Sequence, residues 1–220
     1  MEENRNGYET ESDLRKFGSN EGKSISAVME SRRSIRKYTD QKVTHDQIEE
    51  IVKAASLAPS AKNRQPWKYL VYEGKAKEEL LSAMERGLEK EKKDHSLLPG
   101  SAFALPGAFH TLSIMQEAPV IIIVMDPDGK SPYEPVNSDQ RLTEICDSLS
   151  IGASIQNMLL KATEMGLATL WIANTCFAYN DMVEVIPSKG QMVGAVAVGY
   201  GAEDPAPRPR KKMKEILEYM

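Results

Sequence analysis

The stretch QRLTEICDSLSIGASIQNMLLKATEMG, Gln140 to Gly166, is the longest helical pattern in a chain of 220 residues. Its middle, SLSIGAS, is unusually small: Ser148, Ser150, Gly152, Ala153 and Ser154. A glycine inside a helix costs about 1 kcal/mol against alanine, and the usual compensation is the close approach of another backbone. The expectation is a central helix packed against another helix, within the chain or across a dimer axis. Gly166 supplies the residue type that commonly stops a helix.

Strands flank this helix on both sides. Before it, VIIIVMD (Val120 to Asp126) is apolar on both faces, which predicts a strand in the middle of a sheet. The turn-rich loop DPDGKSPYEPVNSD joins the two. After it come two more strands, LATLWIA and QMVGAVAVGYG, with the short helix FAYNDMVEVI between them. Further back, WKYLVYEG (Trp67 to Gly74) alternates and is rich in aromatic and β-branched residues, so it is read as a strand. KAKEELLSAMERGLEKEKKD follows as a charged surface helix. In THDQIEEIVKAASLAPS, Thr44 and Gln47 have the spacing of a capping box. Ile48, Ile51, Val52, Ala55 and Leu57 form its apolar stripe, and Pro59 ends it. SISAVMESR begins a short helix with Ile25, Val28 and Met29 on one face.

Residues 96–108, SLLPGSAFALPGA, carry two prolines and two glycines and are read as a loop or lid, with Phe103 and Phe109 near it. PAPRPRKKMKEILEYM is read as a basic extended piece followed by a terminal helix. Residues 1–22 are polar and lack apolar periodicity, so a flexible tail is expected there. Strands and helices intermix over residues 23–220, and one α+β domain is the economical reading.

The net charge of −4 argues against a global field that would draw the protein to nucleic acid or to an anionic membrane. The N-terminal residues lack the apolar core of a signal peptide. The longest apolar run, APVIIIVM, is far shorter than the roughly 20 residues a membrane span needs. Two cysteines, Cys146 and Cys176, make no disulfide framework, and a reducing, cytoplasmic setting is expected. Both are read as buried, as are Trp67 and Trp171. His45, His95 and His110 are isolated in sequence, so no metal site is expected.

Against this acidic background, SRRSIRKYTD gathers Arg32, Arg33, Arg36 and Lys37 around Ser34, and RPRKK (Arg208 to Lys212) repeats the charge far along the chain. Either cluster alone reads as a solvated face. Arginines with a nearby hydroxyl also match phosphate oxygens. Neither cluster is interleaved with aromatics, which favours one phosphorylated small molecule over nucleic acid. Neither GxGxxG nor GxxxxGK[ST] occurs, so such a site must rely on side chains. A third stretch, APSAKNRQPW (Ala58 to Trp67), offers Ser60, Asn63 and Gln65 just after a helix-ending proline. It is read either as a plain connecting loop or as a set of polar groups for a polyol or a heteroaromatic edge.

SRRSIRKYTD, LAPSAKNRQPWKYLV, the Met115–Ala118–Pro119 pattern in TLSIMQEAPVIIIV, MGLATLWIANT and AVAVGYGAEDPAPRPRKKMKEIL occur in that order from about Ser24 onward. Together they resemble the nitroreductase family of flavin enzymes. The resemblance implies an α+β nitroreductase-like fold, with a mostly antiparallel central sheet flanked by helices and a long central helix at a dimer interface. It implies a homodimer with two FMN sites, each built from both chains. Carried onto this sequence, Arg32, Arg33, Ser34 and Arg36 would hold the phosphate and ribityl end of FMN. Arg208 and Arg210 would close on the same phosphate. Pro59, Ser60, Asn63 and Gln65 would come from the partner subunit or contact the ring and ribityl chain. Ala173 and Asn174 would lie along the ring near N5, where relatives often carry an acidic residue and a glycine.

The resemblance further implies hydride transfer from NADH or NADPH through FMN to a nitroaromatic, a quinone or a similar small acceptor in a ping-pong cycle. It implies no catalytic side chain, no nucleic acid and no membrane. The alternatives are other flavin chemistry on the same fold (dehalogenation or oxidation of a small molecule), a flavin-binding protein without turnover, and a nucleic-acid binder using the two basic clusters.

Overall fold

The structure is a computed structural model and describes residue 22 and residues 24–220. The tail expected over residues 1–22 falls, Gly22 apart, outside the described residues.

Strand β2 (Val120–Asp126) is buried along its whole length. It lies between β1 (Lys68–Tyr72) and β4 (Gln191–Gly199), with β3 (Ala168–Ile172) on the far edge of β4. All three pairings are antiparallel. Successive side chains of a strand point to opposite faces, and β2 uses both. Ile121, Ile123 and Met125 join one core cluster with Leu170, Ile172, Ala195 and Ala197. Val120, Ile122 and Val124 join the other with Val196 and Val198. Full burial of an isoleucine is worth about 1.5–3 kcal/mol, and Ile121, Ile122 and Ile123 are all fully buried.

Each face is covered by helices. On the first lie α3 (Gly74–Asp94), α4 (Leu105–Glu117) and α6 (Tyr179–Val185). On the second lie α2 (His45–Ser56) and α5 (Ser138–Glu164). The short helix α1 (Ile25–Ser31) rests against α5. The capping box of α2 forms as its sequence predicts, with Thr44 accepting from Gln47 N–H and the Gln47 side chain accepting from Thr44 N–H. Gly166 stands at φ 77° after α5, and Leu167 N–H returns to Ala162 O at 2.8 Å. Among the described residues no helix is long and apolar enough to cross a membrane.

The long helix packs against α2, where the Asn157 amide donates to Ala54 O at 3.3 Å. Its small residues also do a job that the sequence does not announce. A Cβ on Gly152 would meet only the Trp171 ring, at 3.7 Å, an ordinary contact. Among the described residues of this chain no other backbone crowds Gly152, which leaves the dimer-axis alternative. The buried serines of α5 serve as hydrogen-bonding points. Ser154 accepts from Tyr69 Oη at 2.8 Å, and Ser150 accepts from Ala61 N–H at 3.4 Å.

Four expectations are corrected. Residues 96–108 are mostly helical: a short 3₁₀ turn spans Pro99–Ala104 and α4 starts at Leu105. Prolines here open helical turns, because the first turn has no use for the missing N–H. Phe103 lies 86% exposed, while Phe109 packs against the core. The terminal helix reduces to a 3₁₀ turn at Met213–Glu215, and residues 207–220 are all exposed. With no face buried, a segment that short lacks the packing that stabilises short helices. Helix α3 is more than a surface helix, since Leu80, Met84 and Leu88 enter the core. Leu57, at the end of α2, is exposed.

Candidate functional site

Arg32 caps α1, its N–H donating to Val28 O at 3.0 Å, and the chain then becomes extended. Ser34 bridges Thr169 in parallel sense at the start of β3, and Ile35 N–H donates to Thr169 O at 3.0 Å. Buried Ile35 anchors the segment. Three residues later Tyr38 bridges Gly201, just past the end of β4. Thr39 N–H donates to Tyr200 O, and Ala202 N–H to Lys37 O, both at 2.9 Å. The Tyr38 ring lies close to Gly199, where an added Cβ would fall 2.7 Å from its Cδ1. Burial, reinforced by Glu203, pushes the Tyr38 phenol far up from its ordinary value. These contacts hold residues 200–210 alongside residues 31–39.

The two basic clusters therefore meet. A cavity of about 460 Å³ is lined by Arg32, Arg33, Ser34 and Arg36 from one segment and by Arg208 and Arg210 from the other. The guanidiniums bond to backbone carbonyls: Arg33 to Glu30 O at 2.6 Å, Arg36 to Ser34 O at 3.2 Å and Arg210 to Arg208 O at 3.3 Å. Among the described residues, no carboxylate lies within 4.0 Å of these five guanidiniums. The Arg32 guanidinium is pushed below its ordinary pKa by burial, then by Arg210 and Arg33. Glu30 also lines the cavity, but like charges crowded without a direct ion pair are what a dianionic ligand would relieve. Lys37 is exposed and lies outside the cavity lining.

The other expected site residues lie elsewhere in this chain. Pro59, Asn63 and Gln65 are exposed and Ser60 is half-buried, on a loop fastened to α5 at Ser150. Helix α1, which leads into Arg32, packs against α5 near Leu160 and Lys161. Eleven residues of helix separate the two attachments, about 16 Å along the axis. Ala173 and Asn174 follow β3, four residues beyond the Ser34–Thr169 bridge, about 13 Å along the strand. Ala173 is exposed. The Asn174 amide is turned to Thr111 Oγ1 at 2.9 Å, and that hydroxyl donates to Gly107 O at 2.9 Å. Its side chain thus fastens the segment after β3 to α4.

Three contributors went unread in the sequence. Glu203 supports the junction of the two clusters, Thr111 holds Asn174, and Asp147 holds the loop through Arg64. Their partners lie far off in the chain, so no local pattern marks them. Trp171, read as core, is 46% exposed, while Trp67 packs at the edge of the second cluster. Both cysteines are free and half-buried, and burial pushes the Cys176 thiol up, away from reactivity.

The sequence profile of the Nitroreductase family matches residues 29–200. A provisionally named NADH dehydrogenase/NAD(P)H nitroreductase of Archaeoglobus fulgidus is 30% identical over 143 residues, 64% of this chain and 63% of that protein's own length. Among solved structures, a nitroreductase-like family protein of Bacillus cereus is 25% identical and superposes with a TM-score of 0.66, covering 90% of this chain and 96% of that one. The crystal structure of a provisionally named nitroreductase of Desulfovibrio desulfuricans in complex with FMN shares the fold at 24% identity and a TM-score of 0.63, covering 90% of this chain and 98% of that one. With the matched profile spanning both the long helix and the sheet, this chain belongs to the nitroreductase family.

Proposed function

We propose that the protein is an FMN-dependent oxidoreductase that uses NADH or NADPH to reduce a nitroaromatic, a quinone or a similar small acceptor. The observation that carries the reading is the arginine cavity: five guanidiniums from two distant segments, in a lining that also holds Ser34 and Glu30, with no ion pair to a carboxylate among the described residues. That donor set fits the phosphate of FMN, whose relative of known structure was solved with FMN bound.

Arg32, Arg33, Arg36, Arg208 and Arg210 would hold the phosphate, with Ser34 donating a hydroxyl. Pro59, Ser60, Asn63 and Gln65 of a second copy would meet the ribityl chain and ring, and the backbone at Ala173 and Asn174 would line the ring's far edge. When bound, FMN supplies two-electron chemistry that one reductant and then one acceptor use in turn. The protein's share is to bind the phosphate, orient the ring and leave one face of it open. No acid, base or nucleophile from the chain is required.

The second copy is supported by α5. Leu142 (63% exposed), Ile145 (50%) and Leu149 (71%) lie at i, i+3 and i+7, one stripe of a helix. Half-exposed Trp171 lies against the same helix. An apolar stripe of this kind marks an interaction surface, and a homodimer would bury it. The two free cysteines fit a reducing cytoplasm.

The test is direct. The purified protein should be yellow, release FMN on denaturation, and bleach anaerobically with NADH or NADPH. A colourless protein that also fails to take up added FMN would overturn the proposal. Bound FMN that neither reductant bleaches would leave a binding protein without this activity.

A further inference from the structure

The loop Ser60–Gln65 is built against the grain of its own sequence. Lys62 (φ 53°), Asn63 (φ 53°) and Gln65 (φ 50°) all stand in the left-handed region. Asparagine tolerates that conformation, but lysine and glutamine have no local means of relieving it. Strain of this kind persists only where the surroundings over-determine it, and it concentrates at functional sites. A connecting loop with no further task could relax, because Lys62, Asn63 and Gln65 are all exposed.

What holds the loop is visible at its base. Ser60 Oγ accepts from Gln65 N–H at 3.0 Å, closing the turn. Arg64, the residue between the two amides, reaches back to α5. Its Nε donates to Asp147 Oδ1 at 3.1 Å and its Nη2 to Asp147 Oδ2 at 2.9 Å. This is a two-pronged pairing, which fixes orientation as well as distance. The Asp147 side chain is 3% exposed, so the anchor is buried in α5 while the residues on either side of Arg64 face outward. Without Arg64, that carboxylate would be left buried beside Asp126, itself buried and already pushed up by burial and by Asp147.

We infer that the Arg64–Asp147 pair is a positioning clamp for the flavin-ring end of the site, locking Asn63 and Gln65 in the strained geometry in which they meet the ring and ribityl chain. The inference rests on the FMN reading above. Neither residue touches flavin; the pair acts through the two amides. A clamp for the ring end acts on flavin whether or not it carries phosphate, which separates it from the arginine cavity.

The test compares FMN with riboflavin, which lacks the phosphate. Arg64→Lys, Arg64→Ala and Asp147→Asn are made in the full-length protein, and both flavins are titrated by quenching of flavin fluorescence. Arg64→Lys keeps a positive charge on Asp147 and guards against loss of the fold, which thermal melting of the flavin-free protein checks. The expected result is a loss of about tenfold or more in affinity, equal for FMN and riboflavin, with the visible absorption band of bound flavin shifted. Arg32→Ala, run beside them, should weaken FMN alone. Folded clamp variants that bind both flavins as the parent does would overturn the inference, as would a loss confined to FMN. A parent protein that binds neither flavin would overturn the FMN reading, and this inference with it.

Discussion

The backbone N–H of Arg36 donates to Glu203 Oε1 at 2.5 Å, across 167 residues of chain. With the Ala202–Lys37 hydrogen bond and the Tyr38–Gly201 bridge, this contact ties the first basic cluster to the run leading into the second. Glu203 has a further effect, since its charge helps push the Tyr38 phenol up. Glu203→Ala removes the acceptor and loosens residues 203–210 against residues 32–36, beyond the contacts that remain at Lys37 to Thr39. A hydrogen bond to a charged group is worth about 1.5–3 kcal/mol, so FMN affinity should fall about tenfold. Glu203→Gln keeps an acceptor and removes a negative charge near the phosphate site, so it should bind FMN at least as well as the parent. Flavin titration of the two variants checks this, and an alanine variant with unchanged affinity would remove Glu203 from the site's framework.

The Arg32 guanidinium is pushed down by burial first, and then by Arg210 and Arg33. A phosphate dianion would reverse that sign. Arg32→Ala should therefore lower FMN affinity at least about tenfold, leave riboflavin affinity unchanged, and leave the melting temperature of the flavin-free protein the same or higher. Inorganic phosphate should compete with FMN in the parent and lose that effect in the variant. Unchanged FMN binding would place the phosphate elsewhere.

The contrast between Arg32 and Arg64 shows what the sequence could disclose. The arginine clusters were legible because charge in an apolar-patterned chain stands out, and the two runs share one chemistry. Strand β2 was legible for a similar reason, since VIIIVMD can sit only where both faces are dry. The capping box of α2 was legible because it is local. Helix α4 was missed because Pro106 and Gly107 look like breakers until their place in the first turn is known. Gly152 is half legible, because among the described residues its smallness answers to no crowding inside one chain, and a sequence does not say whether a second copy supplies it. Arg64 sits within APSAKNRQPW and carries no local sign of its role, since Asp147 is 83 residues away.

The exposed stripe of α5 gives a test of assembly. Leu149 is 71% exposed and Leu142 63%. A charge placed on a face that is buried only in a dimer costs several kcal/mol there and little in an isolated chain. Leu149→Glu should give a monomer by light scattering, with secondary structure by circular dichroism unchanged and FMN lost, because half of each site would be missing. A dimer that survives Leu142→Glu and Leu149→Glu together would mean that this face is not the seam.

Tyr133 links the β2–α5 loop to the segment after β3: its Oη donates to Cys176 O at 2.7 Å and its ring meets Tyr179 edge-on, centroids 5.6 Å apart. Burial comes first among the causes that push its phenol up to about 12 from 10.0. In the unfolded chain the phenol loses its proton near 10, so between about pH 10 and 12 the unfolded state binds fewer protons and stability falls as pH rises. The stabilisation is complete below 10 and is lost through 12. Tyr133→Phe should cost about 1 kcal/mol at pH 7, where the hydrogen bond is removed. Urea unfolding should show the gap to the parent narrowing as pH rises above 10, because the variant lacks this titration. A gap that widens would mean the phenol ionises more readily in the fold than outside it.

The last prediction concerns which chain supplies the loop. The loop and the arginine cavity attach to α5 at Ser150 and near Lys161, about 16 Å apart along the helix. If each flavin takes its phosphate from one copy and its ring contacts from the other, two different lesions can be made to fall on one site. Arg32→Ala damages the phosphate end of the copy that carries it. Asn63→Ala with Gln65→Ala damages the ring end presented to the other copy. Either variant as a homodimer has two damaged sites. A mixed dimer of the two, isolated with a different tag on each copy, has one site with both lesions and one with none. It should bind FMN at half the parent stoichiometry with the parent's affinity. If the loop served its own chain's flavin, each site of the mixed dimer would carry one lesion and no tight binding would return. Titration of the mixed dimer separates the two arrangements without any knowledge of the acceptor.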